Sequence, residues 1–295
     1  MDRAVVSVII PAFNAENYIC QALDSVLHQT FDSIEIIVIN DGSRDSTKNL
    51  VSTFMLNYGV KISLINIKNS GACFARNLGI SLAQGRYVAF LDSDDIWLPE
   101  KIERQVYSLQ NSPLAVGSVC SYRKFVDNSK KTSNVIKFSW NKKKLFKWMV
   151  LEDEGPGLNS TLLVKTEFIK QIGGYDENLG SMADDLDLSW RINLFGQITM
   201  TTDCLTEIRI WPGQIHSNIL NMFKALNMVF TKHFGKGSRE LRVAQGNLNV
   251  WFGLKHISKG KIVIGIYHLA KGILCSPIRA GMLPIRLVFK STKIR

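Results

Sequence analysis

Where an apolar run ends, Phe90-Leu91-Asp92-Ser93-Asp94-Asp95 places three carboxylates within four positions. Ionised acids this close repel one another, and a bound cation offsets the repulsion. Two carboxylates separated by one residue make a poor zinc site and a good hard-ion site. Mg2+ or Mn2+ would take one or two of these oxygens and fill the remaining positions with phosphate and water. Read in isolation, the same acids also suit a solvated turn ahead of a helix beginning near Pro99. Their place at the end of an apolar strand favours the metal.

A second group follows two earlier apolar runs: Ile10-Pro11-Ala12-Phe13-Asn14 and Asn40-Asp41-Gly42-Ser43. The Phe13 ring could cover a base, and Asp41 could accept a hydrogen bond from a base or ribose. Asp41-Gly42 equally suits a turn capping the next helix. Neither segment contains G-x-G-x-x-G, and G-x-x-x-x-G-K-[ST] occurs nowhere in the chain, which disfavours dinucleotide and P-loop folds.

These residues need a frame, and two alternating periods supply one. Val5–Ile10, Ile34–Ile39, Ile62–Ile67 and Tyr87–Leu91 are short apolar runs. Between them, apolar residues recur at helical spacing, as in Ile19, Ala22, Leu23, Val26 and Leu27. Strands that are apolar on both faces and separated by helices predict a mainly parallel sheet covered on both sides. Ligands bind such sheets beyond the carboxyl ends of the strands, where the residues above lie. Further on, strands are expected at Ala115–Tyr122 and Ser160–Val164, a turn at Gly173–Asp176 and a helix at Asp184–Phe195. Lys130-Lys131 and Lys142-Lys143-Lys144 read as solvated loop. From about residue 214 the pattern is helical: Leu241, Ala244, Leu248, Trp251 and Phe252 share one face, and Ile262, Ile266, Leu269 and Ile273 another.

The chain has 295 residues, 46% of them hydrophobic, and a net charge of +11 that is unevenly spread. Residues 1–110 carry 9 basic and 12 acidic side chains, residues 111–203 carry 12 and 11, and residues 204–295 carry 15 and 2. An anionic partner is therefore to be sought in the last third. The five cysteines lie 47 or more positions apart with no C-x-x-C, so reduced thiols in the cytoplasm are expected. The apolar run at the N-terminus is too short for a secretory signal. The best membrane candidate, Ile262–Cys275, is interrupted by His268 and Lys271, so no membrane span is expected. Nucleic-acid binding is not expected, because no recognised motif interleaves aromatics with the basic residues.

Taken in order, the segments "SVIIPAFNAENYICQALDSVLHQTFDSIEIIVINDGSRDST" and "NSGACFARNLGISLAQGRYVAFLDSDDIWLPEKIERQ" resemble the N-terminal half of family 2 glycosyltransferases, which have the GT-A fold. The resemblance is close over residues 5–107 and weaker over 155–192. The resemblance implies an inverting enzyme that moves a sugar from a nucleotide diphosphate donor, with UDP as the commonest carrier, to a hydroxyl of a glycan or glycolipid acceptor. By position, Pro11, Ala12 and Phe13 would line the nucleoside pocket, Asp41 would contact the base, and Arg76 would lie near the nucleotide. Asp92 and Asp94 match the D-x-D, with Ser93 between them at the nucleotide sugar. Asp94 would be the direct ligand of Mn2+ or Mg2+ and Asp92 would be nearer the ribose. Asp95 matches a frequent third acid. Family members often carry Tyr where this chain has Phe13, which keeps stacking and loses a phenolic hydrogen bond.

The resemblance also places the catalytic base at Ala183-Asp184-Asp185-Leu186-Asp187-Leu188, with Asp185 in its position and Asp184 replacing the usual Glu. The choice between the two stays open at this stage. A carboxylate opposite the leaving diphosphate can take the acceptor proton, an assistance worth about 10²–10⁴-fold. Acids at a helix start also suit the macrodipole, at ~0.3–1 kcal/mol each. His216, in the loop that follows, is a further candidate to reach the metal or diphosphate. Trp97 could also wall the donor site, and the other histidines read as surface or packing residues. Asn159-Ser160-Thr161 matches a glycosylation sequon only by coincidence, because a strand is expected there. The competing reading, a binding protein of the same fold without turnover, would need an impaired metal or base position, and none is visible.

The expected organisation is a transferase domain over residues 1–212, divided into a donor half (1–110) and an acceptor half (111–212). A basic helical extension follows over residues 213–295. That extension reads either as a solvated amphipathic bundle or as a peripheral attachment to the anionic inner face of the plasma membrane.

Overall fold

A computed structural model describes residues 5–59, 62–126, 135–136, 158–211 and 219–275. The described residues form two compact units, residues 5–136 with 158–211, and residues 219–275.

The first unit opens with strand β1 (Val6–Ala12), helix α1 (Ile19–Leu27), β2 (Ile34–Asp41), α2 (Thr47–Tyr58), β3 (Ile62–Ile67), α3 (Ala72–Leu82) and β4 (Tyr87–Phe90). The alternation follows the sequence periods. β1 is buried along its whole length, and α1 turns Ile19, Ala22, Leu23 and Val26 into the core beside Val8, Ile10 and Val38. β1 pairs in parallel with β2 on one side and β4 on the other. The strand order thus reverses at β1, and the crevice beyond the carboxyl ends of β1 and β4 is where such folds bind ligands.

After β4 come β5 (Ile96–Trp97), α4 (Lys101–Gln110), β6 (Ala115–Phe125), a short helix α5 (Leu158–Thr161), β7 (Leu162–Lys165), α6 (Thr166–Gln171), a 3-10 turn at Glu177–Met182, α7 (Asp184–Phe195) and β8 (Gln197–Arg209). All eight strands join one sheet in the order β3-β2-β1-β4-β7-β6-β8-β5. The parallel sheet expected from the sequence spans the first four strands. Beyond them β7 runs antiparallel to both β4 and β6, so the second half is mixed. The strand expected from Ser160 begins at Leu162 instead, because Ser160 and Thr161 close a helical turn whose hydroxyl at Ser160 serves an acid. β8 lies where no strand is expected.

The second unit is helical throughout its described residues: α8 (Ile219–Phe234), α9 (Arg239–Ser258) and α10 (Ile262–Cys275). Ser238 caps α9 by accepting the Leu241 N–H at 3.0 Å. Leu241, Ala244, Leu248 and Phe252 are buried as their spacing predicts, and the Phe223 ring packs at 4.5 Å from that of Phe252. His256 and His268 pack edge-on against Phe252, the packing role expected of them. The face expected on α10 differs. Ile262, Ile266 and Ile273 are exposed, and the buried residues of that helix are Gly265 and Gly272. No helix among the described residues is long and apolar enough to cross a membrane.

Candidate functional site

The loop after β4 holds its acids at different depths. Asp92, Ser93 and Asp94 are partly exposed, whereas Asp95 is buried. Asp95 accepts the Ser160 hydroxyl at 2.6 Å and the Arg209 N–H at 3.0 Å. Burial pushes its carboxyl well above the usual range, and the charges of Asp94 and Asp92 push it the same way. The Asp94 carbonyl accepts Arg209 Nε at 2.7 Å, and its carboxylate accepts Trp211 Nε1 at 2.8 Å. The Arg209 guanidinium is itself fixed between the Tyr18 and Phe125 rings, 4.6 and 4.5 Å from their centroids. The end of β8 therefore sets the shape of an acidic loop that lies 115 positions earlier in the chain.

Arg76, on the buried face of α3, ties this loop to the second half of the unit. One terminal nitrogen donates to Asp92 at 2.7 Å and the other to Asp184 at 2.7 Å. Burial alone would lower its pKa, but the adjacent Asp92 and Asp184 outweigh that and raise it. The guanidinium lies 5.2 Å from the Tyr175 ring, and the Tyr175 hydroxyl donates to Asn159 at 2.9 Å. Burial pushes the Tyr175 phenol well up, which keeps it a neutral donor. The Cys73 thiol, also buried near Asp184, is pushed up to about 12 and stays protonated.

Asp184 and Asp185 are the first two residues of α7. Asp184 is buried under Arg76. Asp185 is only partly buried, and its carboxylate accepts the Leu186 N–H at 2.7 Å. The helix is anchored further along by Arg191, whose guanidinium donates to the Ile172 carbonyl at 2.9 Å and to Asp187 of the same helix at 2.7 Å.

At the ends of β1 and β2, Pro11 and Ala12 are buried within the strand and the Phe13 ring is 48% exposed. The loop it begins is stitched to the loop after β2. Ser43 accepts the Asn14 N–H at 3.0 Å, Asn14 accepts the Arg44 N–H at 2.9 Å, and Thr47 accepts the Ala15 N–H at 2.8 Å. Asp41 is buried, and its two oxygens accept the backbone N–H groups of Ser70 and Gly71 at 2.6 and 2.9 Å. A carboxylate has capacity for further donors beyond these two. Gly42 has φ +70, and a Cβ there would lie 2.7 Å from the Asn69 nitrogen, so only glycine lets these loops approach.

Among the described residues, no group of three or more His, Cys, Asp or Glu side chains could hold a metal ion by itself. Asp94 and Asp92 could share a hard divalent cation whose remaining ligands come from phosphate oxygens and water. His216 lies outside the described residues. Trp97, a further candidate for a wall of the donor site, is buried, with Nε1 donating to the Ser160 carbonyl at 2.7 Å and the Lys101 ammonium 4.0 Å over its ring. The positions that sequence reasoning did not find are Arg209, Trp211, Ser160 and Tyr175, none of which carries a local signal.

Residues 7–162 match the family described as glycosyl transferase family 2. The chain belongs to that family. This family 2 glycosyltransferase is 32% identical to an uncharacterized glycosyltransferase of Rickettsia prowazekii over 243 residues, 80% of this chain and 73% of that protein. It is 43% identical over 106 residues to WfgD of Escherichia coli, a UDP-Glc:alpha-D-GlcNAc-diphosphoundecaprenol beta-1,3-glucosyltransferase, a match covering 36% of this chain and 41% of that one. Among solved structures, the mannosyltransferase PcManGT of Pyrobaculum calidifontis, in complex with GDP-Man and Mn2+, superposes with a TM-score of 0.64 at 16% identity, over 99% of this chain and 81% of that one. The fold is therefore GT-A, and the protein is a transferase enzyme with relatives in polysaccharide and glycolipid synthesis.

Proposed function

We propose that this transferase moves a sugar from a UDP-sugar to a hydroxyl of a glycan or lipid-linked glycan acceptor, with inversion at the anomeric carbon. The observation that carries the reading is Arg76, whose two ion pairs bring the acid after β4 and the first acid of α7 to one guanidinium. A donor-binding acid and the acid next to the candidate base thereby share one site, although 92 positions separate them in sequence.

On this reading the Phe13 ring stacks on the nucleoside beside Pro11 and Ala12, and Asp41 accepts a donor from the base. Arg76, Asp92 and Ser93 position the nucleotide sugar. Mn2+ or Mg2+ held at Asp94, with Asp92 beside it, supplies positive charge to the diphosphate leaving group when bound. PcManGT, solved with Mn2+, supports that assignment by analogy of fold, and the UDP donor of WfgD supports the choice of nucleotide. Asp184 is committed to Arg76 and acts as a positioning residue. Asp185 accepts the proton of the acceptor hydroxyl as that oxygen bonds to the anomeric carbon, and the bond from carbon to the diphosphate breaks. Residues 1–212 would form the transferase domain, with 1–110 the donor half and 111–212 the acceptor half, and 213–295 the basic extension. The five unpaired cysteines suit a reducing, cytoplasmic setting.

Calorimetric titration with a panel of nucleotides and nucleotide sugars, with and without Mn2+, tests this directly. Saturable binding of UDP or a UDP-sugar that strengthens with Mn2+ and is lost in Asp94→Ala is expected. Absence of binding for every nucleotide would overturn the reading.

A further inference from the structure

Helix α10 inverts the usual arrangement of a packed helix. It meets α9 along a line of glycines. A Cβ at Gly265 would lie 2.8 Å from the Gly253 carbonyl oxygen, and one at Gly272 would lie 2.6 Å from the Gly246 carbonyl oxygen. The two backbones touch, and the buried residues of α10 are these two glycines, with the His268 ring packed beside them against Phe252. At 3.6 residues per turn, Val263, Tyr267, Ala270 and Leu274 fall on the face opposite that glycine line, flanked by Ile266 and Ile273. These are the residues left open, with Val263 and Leu274 each 84% exposed. A solvated helix turns polar side chains outward, whereas this one carries a single charge, Lys271, over its whole length.

The surrounding charge points to one kind of partner. Residues 241–275 contain no Asp or Glu and five Lys or Arg, among them Lys255, Lys259 and Lys261 just before α10. Two copies meeting through this face would set positive against positive, whereas an anionic lipid surface offers both the complementary charge and an apolar layer beneath it. At 14 residues the helix is about 21 Å long, short of the ~30 Å hydrocarbon core, so it suits the plane of the interface and not a span.

We infer that α10 lies in the headgroup region of an anionic bilayer, with Val263, Tyr267, Ala270 and Leu274 turned into the acyl chains and the lysines at the phosphates. The inference is independent of the donor chemistry assigned to the first unit.

The test uses the full chain and vesicles of phosphatidylcholine with or without phosphatidylglycerol. Co-sedimentation with the anionic vesicles is expected at low salt, weakened at high salt. It should fall about tenfold or more in Val263→Asp/Leu274→Asp, while UDP binding is unchanged. In Tyr267→Trp, the fluorescence should shift to the blue with anionic vesicles and be quenched by brominated acyl chains, a readout that surface charge alone does not produce. Should the double variant misfold by circular dichroism, Lys259→Glu/Lys261→Glu serves in its place, with the same loss expected. No binding at low salt, binding untouched by either variant, or fluorescence of the Tyr267→Trp variant insensitive to brominated lipid would overturn the inference. So would a lipid-free oligomer that the double variant converts to monomer without any vesicle binding.

Discussion

In the first unit Asp41, Arg76, Asp95, Lys101, Asp184, Asp187 and Arg209 are buried, whereas in the second Val263, Ile266, Tyr267 and Leu274 face outward. Both arrangements cost free energy in an isolated soluble fold, one through desolvation of charge and the other through exposure of apolar surface. Arg76 pairs with Asp92 and Asp184, Arg191 pairs with Asp187, and Arg209 holds the loop after β4 through its backbone N–H to Asp95 and its guanidinium to the Asp94 carbonyl. A buried carboxylate beside other carboxylates is tolerated where a site must hold an anionic substrate through cations. An exposed apolar helix amid lysines is tolerated where another phase covers it. On the two readings proposed above, departures from inside-out burial mark where each unit would meet its partner.

The comparison breaks first at Arg76. Arg76→Met should leave Asp92 and Asp184 without their cation, lowering stability by about 3–5 kcal/mol in urea titration and removing measurable transfer. Arg76→Lys should rescue little, because the one nitrogen of an ammonium replaces the two guanidinium nitrogens that reach Asp92 and Asp184 separately. Retention of wild-type stability in Arg76→Met would show that these charges are not held by one another.

Lys101 sharpens the comparison, being a buried cation that touches none of those acids. Its ammonium donates to Gln105 at 2.7 Å over the Trp97 ring, and burial lowers its pKa from 10.5 to about 8. Below pH 8 it is charged in both the folded and unfolded states. Between about 8 and 10.5 the unfolded chain binds the proton that the folded chain has released, so stability rises with pH across that window. The rise should approach about 3 kcal/mol and vanish in Lys101→Met, with UDP binding unaltered. A pH-independent difference between the two proteins would contradict the assignment. The smallest effect is expected at Phe13, an exposed aromatic of the first unit. Phe13→Ala should weaken UDP by roughly 3–10-fold in titration, the ~0.5–1.5 kcal/mol of one stacking contact, without loss of stability.

Much of this was legible in the sequence, for identifiable reasons. β1 to β4 are apolar on both faces and the intervening helices have a clear 3.6-residue period, so those elements and the loops at their ends could be placed. The bounds of α7 follow from acids at its start and Gly196 beyond Phe195. β8 was not legible, because Thr199, Thr201, Thr202 and Asp203 interrupt any apolar run and the strand is held by its pairing with β6. Arg209 and Trp211 sit at its end, so they were missed together with it. The acids Asp92, Asp94, Asp184 and Asp185 stand out as motifs, but the hold on Asp184 comes from Arg76, 108 positions away. On α10 periodicity named an apolar face without saying what would cover it, since lipid and protein cores select the same residues.

The central claim is the division of labour between Asp184 and Asp185, and it is tested most directly by measuring turnover and UDP affinity side by side in Asp185→Asn. The account predicts that kcat falls by about 10²–10⁴-fold while the Kd for UDP with Mn2+ stays at the wild-type value. Wild-type turnover in Asp185→Asn would contradict it.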